Sequence, residues 1–114
     1  HERGALVVAM GLRDAGLEVV YSGIRNTPEQ IVASAIQENV DAIGLSSLSG
    51  GHMAQFRRVM DLLKQKKVTG VLVFAGGIIP DEDVKQLQRL GIKAVFGPGS
   101  SIAGILEFLR KHLK

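Results

Sequence analysis

Apolar residues in this chain follow two rhythms in turn, and their alternation predicts the elements. From Glu2 to Ala15, Leu6, Val7, Met10 and Leu12 recur at close to helical spacing and Gly16 follows as a C-cap, so a helix is expected. Leu17 to Tyr21 then reads as a strand. Thr27-Pro28-Glu29-Gln30 is a strong helix start, with Thr27 at the N-cap, Pro28 at the first helical position and Gln30 three residues after the cap. Ile31, Val32, Ala35 and Ile36 supply that helix's inward face. Ala42, Ile43 and Leu45 then form a near-continuous apolar run between turn residues, as in a strand covered on both faces. The run passes into the small polar residues Ser46, Ser47, Ser49, Gly50 and Gly51.

The second half repeats the pattern. Met53 to Gln65 predicts a helix with Phe56, Val59, Met60 and Leu63 inward, and Val71 to Ala75 is the clearest buried strand, ending in Gly76-Gly77. Asp81, Glu82 and Asp83 place acidic residues at the positive end of the next helix, which turns Leu87 and Leu90 inward and stops at Gly91. Ala94 to Phe96 is a short last strand. Gly97-Pro98-Gly99-Ser100 turns into a final helix from Ser101 to about His112.

A helix followed by four strand-helix pairs predicts an α/β domain over residues 1–114, a flavodoxin-like (Rossmann-like) doubly wound parallel sheet with helices on both faces. Such a sheet starts with a strand, so one more is expected upstream of His1. In the order 2-1-3-4-5 that strand is interior, and without it a gap should separate its neighbours.

Composition narrows the functional classes. No cysteine is present, which removes disulfides and thiolate metal sites and fits a reducing cytoplasm. No apolar run approaches the length of about 18 residues that reads as a membrane span. The net charge of +3 comes from basic residues interspersed with Asp and Glu on the predicted helices. With one Tyr, no Trp and no recognition module, it reads as a solvated surface and not as a nucleic-acid footprint. Fourteen glycines are the more informative excess.

Eight of those glycines gather in four segments predicted at the carboxyl edge of the sheet: His1 to Gly4, Gly44 to Gly51, Gly76-Gly77 and Gly97-Pro98-Gly99. In open α/β sheets ligands bind at that edge, and glycine lets backbone approach them closely. Tight strand-to-helix turns also need glycine, so spacing alone leaves a ligand cavity and ordinary turns both open. No Ser-His-Asp set, paired-carboxylate site or phosphate-cradling lysine loop is present, and no catalytic acid or base stands out. His52 reads as a helix-start residue or a contact to a ligand's face, and His112 as a partner of the last helix dipole.

In order, His1-x-x-Gly4, Ser46-x-Leu48 and Gly76-Gly77 match the Asp-x-His-x-x-Gly, Ser-x-Leu and Gly-Gly signature of cobalamin-binding domains. The longer words Arg25-Asn26-Thr27-Pro28-Glu29, Gly44 to Gly50, Gly76-Gly77-Ile78-Ile79-Pro80 and Val95 to Gly99 resemble the cobalamin domain or small subunit of adenosylcobalamin-dependent acyl-CoA mutases, methylmalonyl-CoA mutase above all. The resemblance spans essentially the whole chain. The motif's Asp falls two residues before His1, so the natural polypeptide is expected to carry it, with the first strand, upstream.

The resemblance implies a cobalt-containing radical isomerase in which cobalamin binds with its own dimethylbenzimidazole displaced and His1 supplies the lower axial nitrogen. Neutral imidazole suits a transition metal, and a carboxylate on its other nitrogen fixes tautomer and basicity. It further implies that the displaced nucleotide tail enters a slot beside the central strands. There Ser46 hydrogen-bonds the base, Leu48 packs nearby, Gly76 and Gly77 leave room for the ring, Gly97, Pro98 and Gly99 lie by the ribose-phosphate end, and Phe96 is a further cofactor contact. Glu2, Arg3, Gly4, Ser49 and Gly50 complete the implied cofactor contacts. The thioester would be held by a separate catalytic barrel domain or large subunit that binds acyl-CoA.

Two other readings compete. Ala75-Gly76-Gly77-Ile78, followed after a helix by Gly91 to Gly97, also resembles the phosphate loops late in a (β/α)₈ barrel, although this length supplies about half of one. A non-enzymatic cobalamin sensor would use the same fold beside an output domain.

Overall fold

Four strands pair in the order in which the chain makes them. The computed structural model describes residues 2–21, 27–47, 52–77, 79–97 and 101–112, and of residues 2–6, 47, 52 and 102 the backbone alone. The elements are α1 (Glu2–Asp14), β1 (Val19–Tyr21), α2 (Pro28–Glu38), β2 (Ala42–Ser47), α3 (His52–Gln65), β3 (Leu72–Gly77), α4 (Asp81–Leu90), β4 (Ala94–Phe96) and α5 (Ile102–His112). The strands form one parallel sheet of order β1-β2-β3-β4. Right-handed crossovers between strands laid down in sequence put their helices on a single face. Accordingly α2, α3 and α4 share one core, and α1 and α5 cover the other side.

Pleating sorts the strand residues between these two cores. Ile43, Leu45, Val73 and Ala75 turn to the three-helix side and meet Ile31, Val32, Ala35, Phe56, Val59, Leu63 and Leu87. Val19, Ala42, Leu72, Phe74 and Ala94 turn to the other side and meet Val8, Ala9, Leu12, Ile105 and Leu109. The central strand β3 is buried along its whole length. This is the two-faced sheet that the apolar runs predict.

Three expectations are corrected. The gap expected beside β1 is absent: Val19, Val20 and Tyr21 pair directly with Ala42, Ile43 and Gly44. On α1, Val8, Ala9 and Leu12 point inward, while Val7 and Met10 are 42% and 51% exposed. Residues 5 to 10 are all apolar, so their spacing fits several rotations of the helix, and packing against α5 and the sheet selects one. On α2, Ile36 is exposed at the helix end, beyond the reach of the core that buries Ile31, Val32 and Ala35.

The start of α2 is as the sequence predicts. Thr27 Oγ1 accepts from the Gln30 backbone N–H at 3.1 Å, and the Thr27 N–H donates to Gln30 Oε1 at 2.9 Å. This capping box satisfies two backbone or terminal donors that the helix leaves over. Thr27→Ala should lower stability by about 1 kcal/mol, read as a lower urea midpoint with an unchanged slope. In the same first turn, Glu29 meets Arg58 of α3 at 3.1 Å. Its carboxyl is held below the usual carboxylate range, first by a backbone hydrogen bond at the helix start and then by the Arg58 guanidinium.

Candidate functional site

The carboxyl edge of the sheet is built as two rows. In the lower row Tyr21, Gly44, Phe74 and Ala94 lie side by side across β1 to β4. In the upper row Ser46, Gly76 and Phe96 are register partners, and Ser47 pairs with Gly77 beyond them. Alternation places both rows on the face covered by α1 and α5. Ser46 is half-buried, and Gly76 and Gly77 are buried. Gly77 has φ of 129°, a backbone state that disfavours side chains, so the turn out of β3 calls for glycine there.

Helix starts surround these rows. Because α1 runs into β1 through a short turn at the amino edge, its first residues, including Glu2, Arg3 and Gly4, lie at the carboxyl edge. They form the first turn of α1 and not an open loop. Helix α3 begins there with His52, and α5 begins after Ser101, whose Oγ accepts from the Gly104 N–H at 3.2 Å. Phe96 packs edge-on against Phe108 of α5, with ring centroids 6.4 Å apart. A Cβ on Gly97 would meet nothing within 4 Å, so the chain leaving β4 borders open space.

Among the expected site residues, Ser46, Gly76, Gly77, Phe96 and Gly97 are therefore brought to one edge. His1, Leu48, Ser49, Gly50, Pro98 and Gly99 lie outside the described residues. Gly44, expected in the glycine-rich loop, is instead inside β2. A Cβ on it would come 2.7 Å from Cζ and 2.9 Å from Cε2 of Phe74, whose ring lies across the strand at this point. Phe74, one row below Gly76 on the same face of the sheet, is the neighbour of this edge that the sequence reading did not single out. Its signal was a glycine interrupting a buried strand, which often marks a close approach by another group.

Elsewhere the chemistry is sparse. Among the described residues no three His, Asp or Glu side chains gather as a metal site. A cavity of about 340 Å³ lies at the opposite, amino edge, between the end of α2 and the starts of β2 and β3. Its walls include Asn39, Asp41 and Thr69 and none of the expected site residues. His112 Nδ1 lies 2.8 Å from the Phe108 carbonyl oxygen, the helix-end role expected of it.

Residues 1–107 match the family model of the B12-binding domain. The chain belongs to that family. This B12-binding domain is 42% identical over 110 residues to the 2-hydroxyisobutanoyl-CoA mutase small subunit of Aquincola tertiaricarbonis, covering 96% of this chain and 81% of the relative. It is 39% identical to the pivalyl-CoA mutase small subunit of Xanthobacter autotrophicus, covering 94% and 72% respectively. It is 38% identical to the methylmalonyl-CoA mutase of Cereibacter sphaeroides, covering 97% of this chain but only 16% of that protein. Among solved structures, the signal receiver domain of the putative response regulator NarL from Mycobacterium tuberculosis superposes with a TM-score of 0.61. That match has 11% identity and covers 77% of this chain and 69% of that one. At that identity the likeness concerns the fold alone, and it agrees with the flavodoxin-like α/β sheet. No helix among the described residues is long and apolar enough to cross a membrane.

Proposed function

We propose that this B12-binding domain is the cofactor-carrying part of a cytoplasmic adenosylcobalamin-dependent acyl-CoA mutase and works with a catalytic barrel subunit or domain that holds the thioester. The observation that carries this reading is the pairing of Ser46 with Gly76 at the carboxyl edge, with Gly77 directly beyond. The two middle elements of the cobalamin signature, far apart in the chain, thereby become neighbours on two central strands. Relatives named as mutase small subunits, matched over most of their length, support the same assignment.

The donor set fits the cofactor's displaced nucleotide tail. Gly76 carries no side chain, so a flat base can lie against the backbone of β3, and the Ser46 hydroxyl beside it can satisfy a ring nitrogen. Phe96 adds an apolar wall on β4. In this reading His1, which precedes α1 in the sequence, would be the ligand to cobalt, and Glu2, Arg3, Gly4, Leu48, Ser49, Gly50, Gly97, Pro98 and Gly99 would line the corrin and the phosphate end. When bound, adenosylcobalamin supplies the radical for a carbon-skeleton rearrangement. The chain's own residues bind, orient and bury the tail.

A visible-spectrum titration with adenosylcobalamin tests the reading. Binding should convert the spectrum to that of a histidine-ligated corrin with its benzimidazole displaced. A spectrum identical to free cobalamin at saturating protein would refute it.

A further inference from the structure

We propose that Phe74 is the floor of the nucleotide-tail slot and sets which lower base the domain accepts. The inference rests on the reading that the tail enters over Ser46 and Gly76. Phe74 is two residues before Gly76 on β3, so its side chain leaves the same face one row deeper. It is 1% exposed and held between the sheet and the residues of α1 and α5. Its ring does not stand over its own strand: Cζ, Cε2 and Cε1 all lie within 3.4 Å of where a Cβ of Gly44 would be. The ring thus spans from β3 to β2 beneath both Gly76 and Ser46. A group descending from the carboxyl edge along this face passes the Ser46–Gly76 pair and then meets the ring.

Gly44 is the complementary half of the device. Its missing side chain is the space into which the ring lies down, so a residue with a Cβ there would push the ring out of its place and toward the slot. In an apolar pocket a single methylene changes discrimination by about ten- to two-hundredfold. A floor one ring deep should therefore act on base size without altering contacts to the corrin.

The test compares three ligands on the same chain: cobalamin, cobinamide, which has no base, and naphthimidazolyl cobamide, whose base is one ring larger. Wild type should bind cobalamin more tightly than cobinamide, and naphthimidazolyl cobamide less tightly than cobalamin. Phe74→Leu should raise the naphthimidazolyl-to-cobalamin affinity ratio by about tenfold or more and leave cobinamide affinity unchanged. Gly44→Ala should do the reverse, weakening cobalamin but not cobinamide. Phe74→Met, close to Phe in volume but flexible, is the second variant should either of the others fail to fold, and it should also relax the ratio. If wild type binds cobalamin no better than cobinamide, the slot reading itself fails. If wild type prefers cobalamin but the Phe74 variants keep the wild-type base ratio within twofold, the slot stands and Phe74 is not its floor.

Discussion

With adenosylcobalamin and methylmalonyl-CoA or a related thioester, this chain alone should give no detectable rearrangement, and turnover should appear when an acyl-CoA-binding barrel subunit or domain is added. The expectation follows from what the carboxyl edge contains. The described residues of its upper row and the turns beyond, Ser46, Gly76, Gly77, Phe96 and Gly97, carry one hydroxyl and one aromatic ring and no charged side chain to hold a thioester. Positioning a bound substrate against a reactive group is worth about 7–11 kcal/mol, and none of the described side chains at this edge supplies that second half. The chain corresponds to 16% of the methylmalonyl-CoA mutase it matches, which leaves most of that protein for other tasks. A product assay on the chain, the partner and the mixture decides the matter. Product formed by the chain alone would overturn the division of labour.

Where the sequence was legible, a local rule and the tertiary fold pointed the same way. The capping box at Thr27, the buried run of β3 and the left-handed glycine after α4 all carry their reason within a few residues. The rotation of α1 did not, because its continuous apolar stretch fits more than one inward face. Contact with α5, where a Cβ on Gly11 would lie 2.8 Å from Leu106, settles it. The same distinction runs through the site. Ser46 and Gly76 were legible as motif residues, but their adjacency is a product of strand register. Gly44 looked like one more loop glycine because nothing local shows that a phenyl ring from residue 74 lies across it. The pairing of β1 with β2 where a gap was expected is likewise a product of packing that no local pattern announces.

His1→Ala and Ser46→Val should damage cofactor binding in different ways, which separates ligation from tail recognition. If His1 supplies the lower axial nitrogen, removing it should abolish the histidine-ligated spectrum while much of the affinity survives, because the tail still fills its slot over Ser46 and Gly76. Ser46→Val leaves the imidazole available but sets a branched apolar side chain beside Gly76, where the proposed base position calls for a hydrogen-bonding partner. Valine removes the hydroxyl and adds a second γ carbon, but it favours strands, so β2 should keep its register. The cost is an unsatisfied polar group in a half-buried site, about 1–3 kcal/mol, which corresponds to about ten- to a hundredfold in affinity. Titrations followed by the visible spectrum report both quantities at once: the shape of the bound spectrum reads ligation, and the midpoint reads affinity. Ser46→Val should therefore shift the midpoint with the bound spectrum intact, and His1→Ala should change the bound spectrum with a smaller shift in midpoint. An unchanged bound spectrum in His1→Ala would remove His1 as the axial ligand. An unchanged midpoint in Ser46→Val would mean that the hydroxyl beside Gly76 does not meet the base.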